Sequence, residues 1–371
     1  MKLNTDHIQT THTGSLPRPD YVLSDLLDRE EGKAVDHAGF EANVTQAIDE
    51  VVGRQKDIGL DLINDGEAGK PSYVVYVKYR LTGFEGEEIP RADPKWASDF
   101  PEFYKRGREG GRTITRPACN GPIEMKDKDG VHRDIANLRA AADAKGIAPN
   151  DVFMTAPSPG VITHYHANQH YESHEAYLYA VAEAMKHEYD AIGRSGFMLQ
   201  IDCPDLPSAS EREMHMDAIN YALRDIPPER MRLHTCWGNG EYPHHTDVEL
   251  KEIIDLLLTA RPSGLSLEGA NPRHEHEWKV FEYTKLLPEG KFLIPGMIDS
   301  TTNFIEHPEL VAQRIVRYAQ VVGKERVIAG TDCGLATNIA EVPLVDPRVA
   351  WAKLQSLTEG AQLASKELWS S

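Results

Sequence analysis

Four side chains in the second half of the chain could together bind a metal ion. They are His234, Cys236, Glu268 and Cys333. Their imidazole nitrogen, two thiolate sulfurs and carboxylate oxygen form a donor set that suits tetrahedral zinc. The His-x-Cys pair alone is a weak signal, because a lone buried cysteine is usually a small apolar core residue. His274 and His276 are alternative ligands, ranked below Cys333.

The elements that must position these donors follow one another at a regular spacing. An apolar-periodic helix leads into a short strand about every 30 residues, with strand starts near residues 197, 231, 264, 292 and 326. Three further strands are predicted over residues 8–13, 60–63 and 152–155. Eight such strands predict an α/β protein of the (β/α)8 TIM-barrel class.

Chemically capable residues stand at the predicted ends of these strands. They are Ser15, Glu67, Asp202, His234, Cys236, Glu268, Asp299 and Cys333. In such barrels the loops at the carboxyl ends of the strands converge on one mouth. We therefore expect these side chains to share one site.

The segment from about 85 to 130 interrupts the repeat. It is rich in proline, glycine and both charges and has no clean period, which is typical of loops. Residues 113–123 form a ninth strand candidate, which we assign to a hairpin excursion. The prediction is one domain over residues 1–371 with an inserted hairpin region at about 85–130.

Composition and charge exclude several classes of partner. The 371 residues include 40 Lys+Arg against 58 Asp+Glu, a formal net charge of −18. This balance disfavours nucleic acid, because phosphate binding needs a concentrated basic face. Neither a secretory signal nor a membrane span is recognisable, so we expect a cytoplasmic protein without a membrane partner. The four scattered cysteines do not suggest a disulfide framework, and a homo-oligomer stays open.

Short motifs extend the site across almost the whole chain. In order, they are Thr13-Gly14-Ser15-Leu16-Pro17, residues 59–67, Gln200-Ile201-Asp202, His234-Thr235-Cys236, Glu268, residues 296–299 and Asp332-Cys333-Gly334-Leu335. With these motifs the sequence resembles the catalytic barrel of the cobalamin-independent methionine synthases. It resembles more closely their single-barrel relatives, which include epoxyalkane:coenzyme M transferases.

The resemblance implies that the four donors named above are ligands of Zn²⁺. A thiol bound to zinc loses its proton and remains a soft nucleophile. The resemblance also implies that Glu268 leaves the metal, or lengthens its bond, as the substrate sulfur arrives.

The resemblance further implies that Ser15, Glu67 and Asp202 hold the thiol substrate. The two carboxylates suit an ammonium group and the hydroxyl suits a carboxylate, so homocysteine ranks first as the acceptor. The alternative is that these residues are capping or structural groups at strand ends.

Departures from the family leave the alkyl donor open. Where the long enzymes have Asp-Ile-His-Ser, with the histidine as the proposed general acid, this chain has Asp299 followed by Ser-Thr-Thr. Threonine cannot deliver a proton as imidazole does near pH 7. Asp299 and His166 are therefore the candidate catalytic residues, the latter as a replacement proton source. Cys203 also replaces a glutamate, and we expect no counterpart of the N-terminal barrel of the long enzymes.

The sequence thus predicts a zinc-dependent transferase that moves a methyl or other alkyl group to a thiol. With homocysteine the product is methionine, and the donor is a folate, a corrinoid protein or an epoxide. Three alternatives stay open. An epoxyalkane:coenzyme M transferase would need a cationic sulfonate pocket, a uroporphyrinogen decarboxylase-like enzyme would share the barrel without zinc, and a zinc-stabilised scaffold would catalyse nothing.

Overall fold

The computed structural model describes residues 3–108, 114–284, 287–340 and 342–370. A six-stranded parallel sheet, with its strands in sequence order, forms the centre of this part of the chain. The strands are β1 Phe153–Pro157, β2 Met198–Asp202, β3 Met231–His234, β4 Gly264–Leu267, β5 Phe292–Ile298 and β6 Gly330–Thr331. All of their residues are buried, as expected of a parallel sheet covered on both faces.

Helices alternate with these strands. They are α1 Asp20–Glu30, α2 His37–Asp57, α3 Val77–Arg80, α4 Pro101–Arg108, α5 Gly130–Ala144, α6 Pro159–Tyr165, α7 His174–Ser195, α8 Arg212–Ala222, α9 Leu250–Leu258, α10 Lys279–Thr284, α11 Pro308–Val322 and α12 Pro347–Trp369. Helix α7 shows how the sequence sets such an element. The Ser173 side chain accepts a hydrogen bond from the Ala176 amide at its start, and Gly196 at its end adopts a left-handed φ of 94°, a conformation that favours glycine. None of the helices in the described ranges is both long and apolar enough to cross a membrane.

Six of the eight predicted strands are confirmed, and they form a curled α/β half-barrel. The last strand, predicted to start near residue 326, lies at Gly330–Thr331, and Val327 before it makes an isolated parallel bridge to Leu293. The register of β5 and β6 shifts between Gly296 and Ile298.

The other two predicted strands, over 8–13 and 60–63, are single bridges in this structure. Ile63 bridges Val152 and Thr10 bridges Ala329, both in the parallel sense. The Leu62 amide also donates to the Thr10 carbonyl at 3.0 Å. Both segments therefore pair in the parallel sense at the predicted positions, but as single bridges and not as regular strands.

The segment predicted to be inserted makes antiparallel contacts. Gly86 bridges Ala118 and Leu81 bridges Met125, which fits a hairpin excursion. In the sequence, helix α4 lies between Gly86 and Ala118. Residues 109–113 lie outside the described part of the chain.

Candidate functional site

His234, Cys236 and Cys333 come together at the carboxyl ends of β3 and β6. Their ligand atoms all lie within 4.8 Å of one another, and all three side chains are buried. We call this group the thiol–imidazole cluster. Nδ1 of His234 is buried without a hydrogen-bond partner among the described residues, and an unpartnered buried nitrogen is costly. Two thiols and such a nitrogen form a soft donor set for a metal ion.

Glu268, the fourth predicted donor, lies against this cluster after β4. Its Oε1 accepts the Trp237 amide at 2.9 Å and is 3.7 Å from Sγ of Cys333. Its Oε2 accepts Nδ2 of Asn271 at 2.7 Å. The structure therefore brings three predicted donors into one group and places the carboxylate beside it, with hydrogen-bond partners of its own.

The pKa values of the two cysteines of the cluster are shifted in opposite directions. Hydrogen bonds from Cys333 and His234 hold the pKa of Cys236 well below its usual range, against the effect of burial. Burial and the charge on Cys236 raise the pKa of Cys333. Cys236 is thus the more acidic of the two thiols, and binding of a cation would favour loss of the proton from both.

Asp332 fixes the loop that carries Glu268. Its carboxylate accepts the backbone amides of Gly269, Ala270 and Asn271 at 2.8, 2.9 and 2.9 Å, and the Asn271 side chain at 2.9 Å. A Cβ at Gly296 would lie 1.9 Å from Oδ1 of Asp332, so only glycine leaves room for this carboxylate. Because Asp332 directly precedes Cys333, two parts of the site distant in sequence are tied together.

Ser15, Glu67 and Asp202 form a second buried region, the carboxylate pocket. Asp202 ends β2 and is the register partner of His234 on β3. Burial, and then the charge of Glu67, raise the pKa of Asp202 to about 7, although His234 opposes the shift. A Cβ at Gly334 would lie 2.1 Å from the Ser15 hydroxyl, so that hydroxyl borders the segment just after Cys333.

Glu67 has an unusual backbone and an unsatisfied oxygen. Its φ is 57°, in the left-handed region that non-glycine residues rarely adopt. Oε1 accepts the Thr155 hydroxyl at 2.8 Å, whereas Oε2 is buried without a partner among the described residues. A carboxylate held in this way can accept a hydrogen bond from a ligand.

Arg232 also belongs to this region, although it is not among the predicted site residues. This buried guanidinium donates to Oε1 of Gln200 at 2.7 Å, and Nε2 of Gln200 donates to Asp202 at 2.6 Å. Burial lowers the pKa of Arg232 to about 9, although the charge of Asp202 opposes the shift. Arg232 stands two residues before His234, and the two-residue period of a strand could have indicated that both point to the same side.

Asp299 lines a cavity of about 370 Å³ together with Glu268 and Cys333. Its Oδ1 accepts the Thr301 amide at 2.9 Å and its Oδ2 the Thr302 amide at 3.1 Å. Burial alone would raise the pKa of Asp299, but hydrogen bonds from Thr302 and Thr301 lower it. Asp299 is therefore an ionised carboxylate that also shapes its own turn.

His166 does not have the surroundings of a proton donor. Its Nδ1 donates to the Pro117 carbonyl at 2.7 Å, and its ring stacks on Phe84 with centroids 4.3 Å apart. Burial lowers the pKa of His166 to about 4, so the imidazole is neutral at pH 7. These contacts suit a residue that fastens the segment around Pro117 to the end of α6.

His274 was predicted as a lower-ranked ligand and lies outside the cluster. Burial lowers its pKa, but hydrogen bonds to Asp247 and Glu277 outweigh burial and raise the pKa of His274 to about 9. His276 is exposed.

Fold and site together define an α/β protein with a buried His/Cys centre at the carboxyl ends of parallel strands. The chain belongs to the family described as the cobalamin-independent synthase catalytic domain, whose family model matches residues 8–89 and 134–347. The family predicted from the motifs is thereby confirmed.

Individual relatives align over nearly the whole chain. The methionine synthase of Thermococcus kodakarensis is 23% identical over 367 residues, which cover 97% of this chain and 94% of that protein. The 2-hydroxypropyl-CoM lyase of Xanthobacter autotrophicus is 25% identical and covers 97% of this chain and 96% of its own. The structure of a B12-independent methionine synthase from Shewanella sp. W3-18-1, in complex with selenomethionine, superposes with a TM-score of 0.78. At 20% identity, over 98% of this chain and 100% of that one, the latter likeness shows the fold.

Proposed function

We propose that this protein is a zinc-dependent transferase that moves a methyl group to the sulfur of homocysteine, giving methionine. The observation that carries the proposal is the buried thiol–imidazole cluster on β3 and β6, next to a carboxylate pocket at the end of β2. Membership of the cobalamin-independent synthase family and the methionine synthases among the relatives support the same activity.

Zinc fits the residues of the cluster. His234, Cys236 and Cys333 would hold it, with Glu268 as the fourth ligand, a mixed nitrogen, sulfur and oxygen set that zinc accepts. The unpartnered Nδ1 of His234 supports a cation at this point. When bound, zinc lowers the pKa of a thiol ligand and leaves its sulfur a soft nucleophile.

The carboxylate pocket would orient the acceptor. Glu67 and Asp202 would accept hydrogen bonds from the ammonium group, and the free Oε2 of Glu67 offers one such acceptor. Ser15 would donate to the substrate carboxylate. Because the Ser15 hydroxyl borders the segment after Cys333, an amino-acid thiol held here would have its sulfur close to the cluster.

The donor would approach through the cavity lined by Asp299, Glu268 and Cys333. Its volume of about 370 Å³ lies in the range of small-molecule sites. A folate, a methylated corrinoid protein and an epoxide are the candidate donors, and Asp299 would be the ionised group that they meet. The surroundings of His166 give no support to its use as a proton source.

Two structural proposals accompany this function. The bridges at Thr10 and Ile63 support a (β/α)8 barrel closed by these two segments. The unmatched stretch between residues 89 and 134 of the family alignment supports one domain over residues 1–371 with an insertion at about 85–130.

A second candidate is favoured by the 2-hydroxypropyl-CoM lyase relative. In an epoxyalkane:coenzyme M transferase, the same centre would activate a thiol that carries a sulfonate. That anion would need a cationic pocket, whereas two carboxylates, Glu67 and Asp202, lie beside the cluster of this chain. Homocysteine therefore remains the preferred acceptor.

Metal analysis followed by X-ray absorption at the zinc edge tests the proposal. We expect one zinc per chain, and replacement of one oxygen ligand by sulfur when homocysteine is added. Coenzyme M at the same concentration should leave the spectrum unchanged. A spectrum that responds to coenzyme M and not to homocysteine would favour the second candidate, and a protein that binds no zinc would refute both.

A further inference from the structure

His274 lies beside the oxygen of Glu268 that does not face the cluster. Its Nε2 is 3.9 Å from Oε2 of Glu268, whereas Oε1 of Glu268 is the atom next to Cys333. At 3.9 Å the two groups do not form a hydrogen bond. Both side chains are almost fully buried, with 2% and 4% of their surfaces exposed.

Neighbouring groups fix the orientation of the His274 ring. Its Nδ1 donates to Oε2 of Glu277 at 2.8 Å. The ring stacks on the indole of Trp237, with centroids 4.1 Å apart and planes inclined by 22°. Turning the imidazole would break both contacts, so its Nε2 stays directed at the carboxylates in front of it.

Two carboxylates lie in front of that nitrogen. Oδ2 of Asp247 is 3.3 Å from Nε2 of His274, closer than Oε2 of Glu268. Asp247 also accepts a shorter hydrogen bond, of 2.6 Å, from Nδ1 of His244. Asp247 would therefore remain paired if His274 changed its acceptor.

The backbone of His244 indicates that this pairing is enforced. Its φ of 54° is left-handed, which a residue with a side chain adopts only at a cost that its surroundings offset. The ring is held by donation of Nε2 to the Gly240 carbonyl at 3.0 Å and by stacking on Tyr242. His244 thus supplies Asp247 with a partner that does not depend on His274.

We propose that His274 receives the carboxylate of Glu268 when the substrate sulfur takes the place of that carboxylate in the metal centre. This inference rests on the proposed function and assigns His274 as a positioning residue. Oε2 of Glu268 approaches Nε2 of His274 by about 1 Å to reach hydrogen-bond distance, and Asp247 retains His244. Only the partners of the carboxylate change, and no covalent bond is formed or broken within the protein.

The physical advantage lies in the cost of a displaced anion. The Trp237 amide and the Asn271 side chain already donate to Glu268, but two neutral donors do not replace a cation beside a buried carboxylate. The imidazole N–H of His274 lowers that cost, so the substrate thiol displaces Glu268 from the metal more readily. Without His274, Glu268 should remain a ligand and the thiol should enter less readily.

The experiment compares zinc-loaded wild type with His274→Phe, titrating homocysteine while recording the zinc-edge spectrum. Phenylalanine keeps a ring to stack on Trp237 but has no donor. We expect full zinc content in the variant, and a homocysteine concentration at half-replacement of oxygen by sulfur that rises at least about tenfold, the lower end of the effect of losing a group behind a ligand. The matched control is His276→Phe, at an exposed position two residues along the chain, which should titrate as the wild type does.

A second measurement uses the wild type alone, in case His274→Phe loses its zinc. The ¹⁵N resonance of His274 Nε2, assigned by its absence from His274→Gln, should shift when homocysteine binds. Unchanged titration in His274→Phe, or an unmoved resonance, overturns the inference and leaves the proposed function standing. Failure of the wild type itself to take up sulfur would instead refute the proposed function, and the inference with it.

Discussion

The thiol–imidazole cluster and the carboxylate pocket lie at the ends of adjacent strands, and each is incomplete in a different way. In the cluster, Nδ1 of His234 has no hydrogen-bond partner within the described part of the chain, and the pKa values of Cys236 and Cys333 are shifted in opposite directions. In the pocket, Oε2 of Glu67 has no hydrogen-bond partner among the residues that the structure describes, and burial raises the pKa of Asp202. Both regions are buried. The type of donor atom therefore distinguishes them, because sulfur and imidazole prefer a soft metal ion and carboxylates prefer an ammonium group.

The largest effect should follow removal of one sulfur from the cluster. Cys236→Ser or Cys333→Ser should lose zinc and activity together, with turnover falling by more than the roughly 100-fold that loss of an outer hydrogen-bond partner costs. Metal analysis and a methyl-transfer assay measure both quantities. Cys119→Ser is the control, since that buried thiol bonds to the Gly121 carbonyl. Stoichiometric zinc in either cluster variant would show that the ligand assignment is wrong.

The next effect concerns how the free energy of unfolding of the metal-free protein depends on pH. The folded-state pKa of Asp202 is about 7, against an ordinary value of 3.8, so the folded state binds this proton more tightly. The stabilisation is complete below pH 4 and is lost as the pH rises through 7, by roughly 2 to 4 kcal/mol. Urea unfolding at pH 5 and pH 8 should show a larger loss for wild type than for Asp202→Asn. If wild type and Asp202→Asn lost the same free energy of unfolding, protonation of Asp202 would not be the cause of the loss.

A smaller effect separates acceptor binding from metal binding. Glu67→Gln should keep its zinc but lower kcat/KM for homocysteine by about 10- to 100-fold, because a hydrogen bond to a charged group contributes about 1.5 to 3 kcal/mol. Assays with homocysteine and with the same thiol lacking its amino group should show that the variant no longer prefers the amino acid. Loss of zinc in this variant would mean that Glu67 also contributes to metal binding, so the pocket and the cluster would not have separate roles.

The smallest effect probes the border between the regions. In Gly334→Ala the new methyl group would lie 2.1 Å from the Ser15 hydroxyl, which must turn away. We expect KM for homocysteine to rise about tenfold, near 1.4 kcal/mol, with zinc retained. The double variant Ser15→Ala/Gly334→Ala should match Ser15→Ala alone, because the two changes act on one contact. Additive effects would contradict this contact.

Strand periodicity sufficed to predict much of the fold. Strands such as β5, with the sequence Phe-Leu-Ile-Pro-Gly-Met-Ile, stand out as apolar runs, whereas the segments at Thr10 and Ile63 make single bridges and carry polar residues such as Thr10 and Asp61. Their pairing depends on hydrogen bonds between distant parts of the chain, such as that from the Thr10 amide to Asp61 at 2.7 Å, which local pattern does not encode.

The candidate site was predictable for residue types that have a characteristic chemical role, such as metal ligands. Cysteines and a histidine at strand ends indicate a metal before any coordinates exist. The groups that orient them were not predictable, since Asn271 and Arg232 have ordinary residue types whose importance depends on partners far away in sequence. For His166 the residue type alone led to the prediction of proton transfer, whereas the pKa depends on surroundings that the sequence does not show: the ring stacks on Phe84, and burial lowers its pKa to about 4.

The carboxylate of Asp332 has a consequence for how an ion would come and go. Four hydrogen bonds fasten the turn after Glu268 to the residue before Cys333. Their geometry is thus completed by folding itself, and arrival of the ion has little conformational entropy left to overcome. After removal of the ion with a chelator, the ligand residues would stay in place, and the protein could bind zinc again without rearranging its backbone.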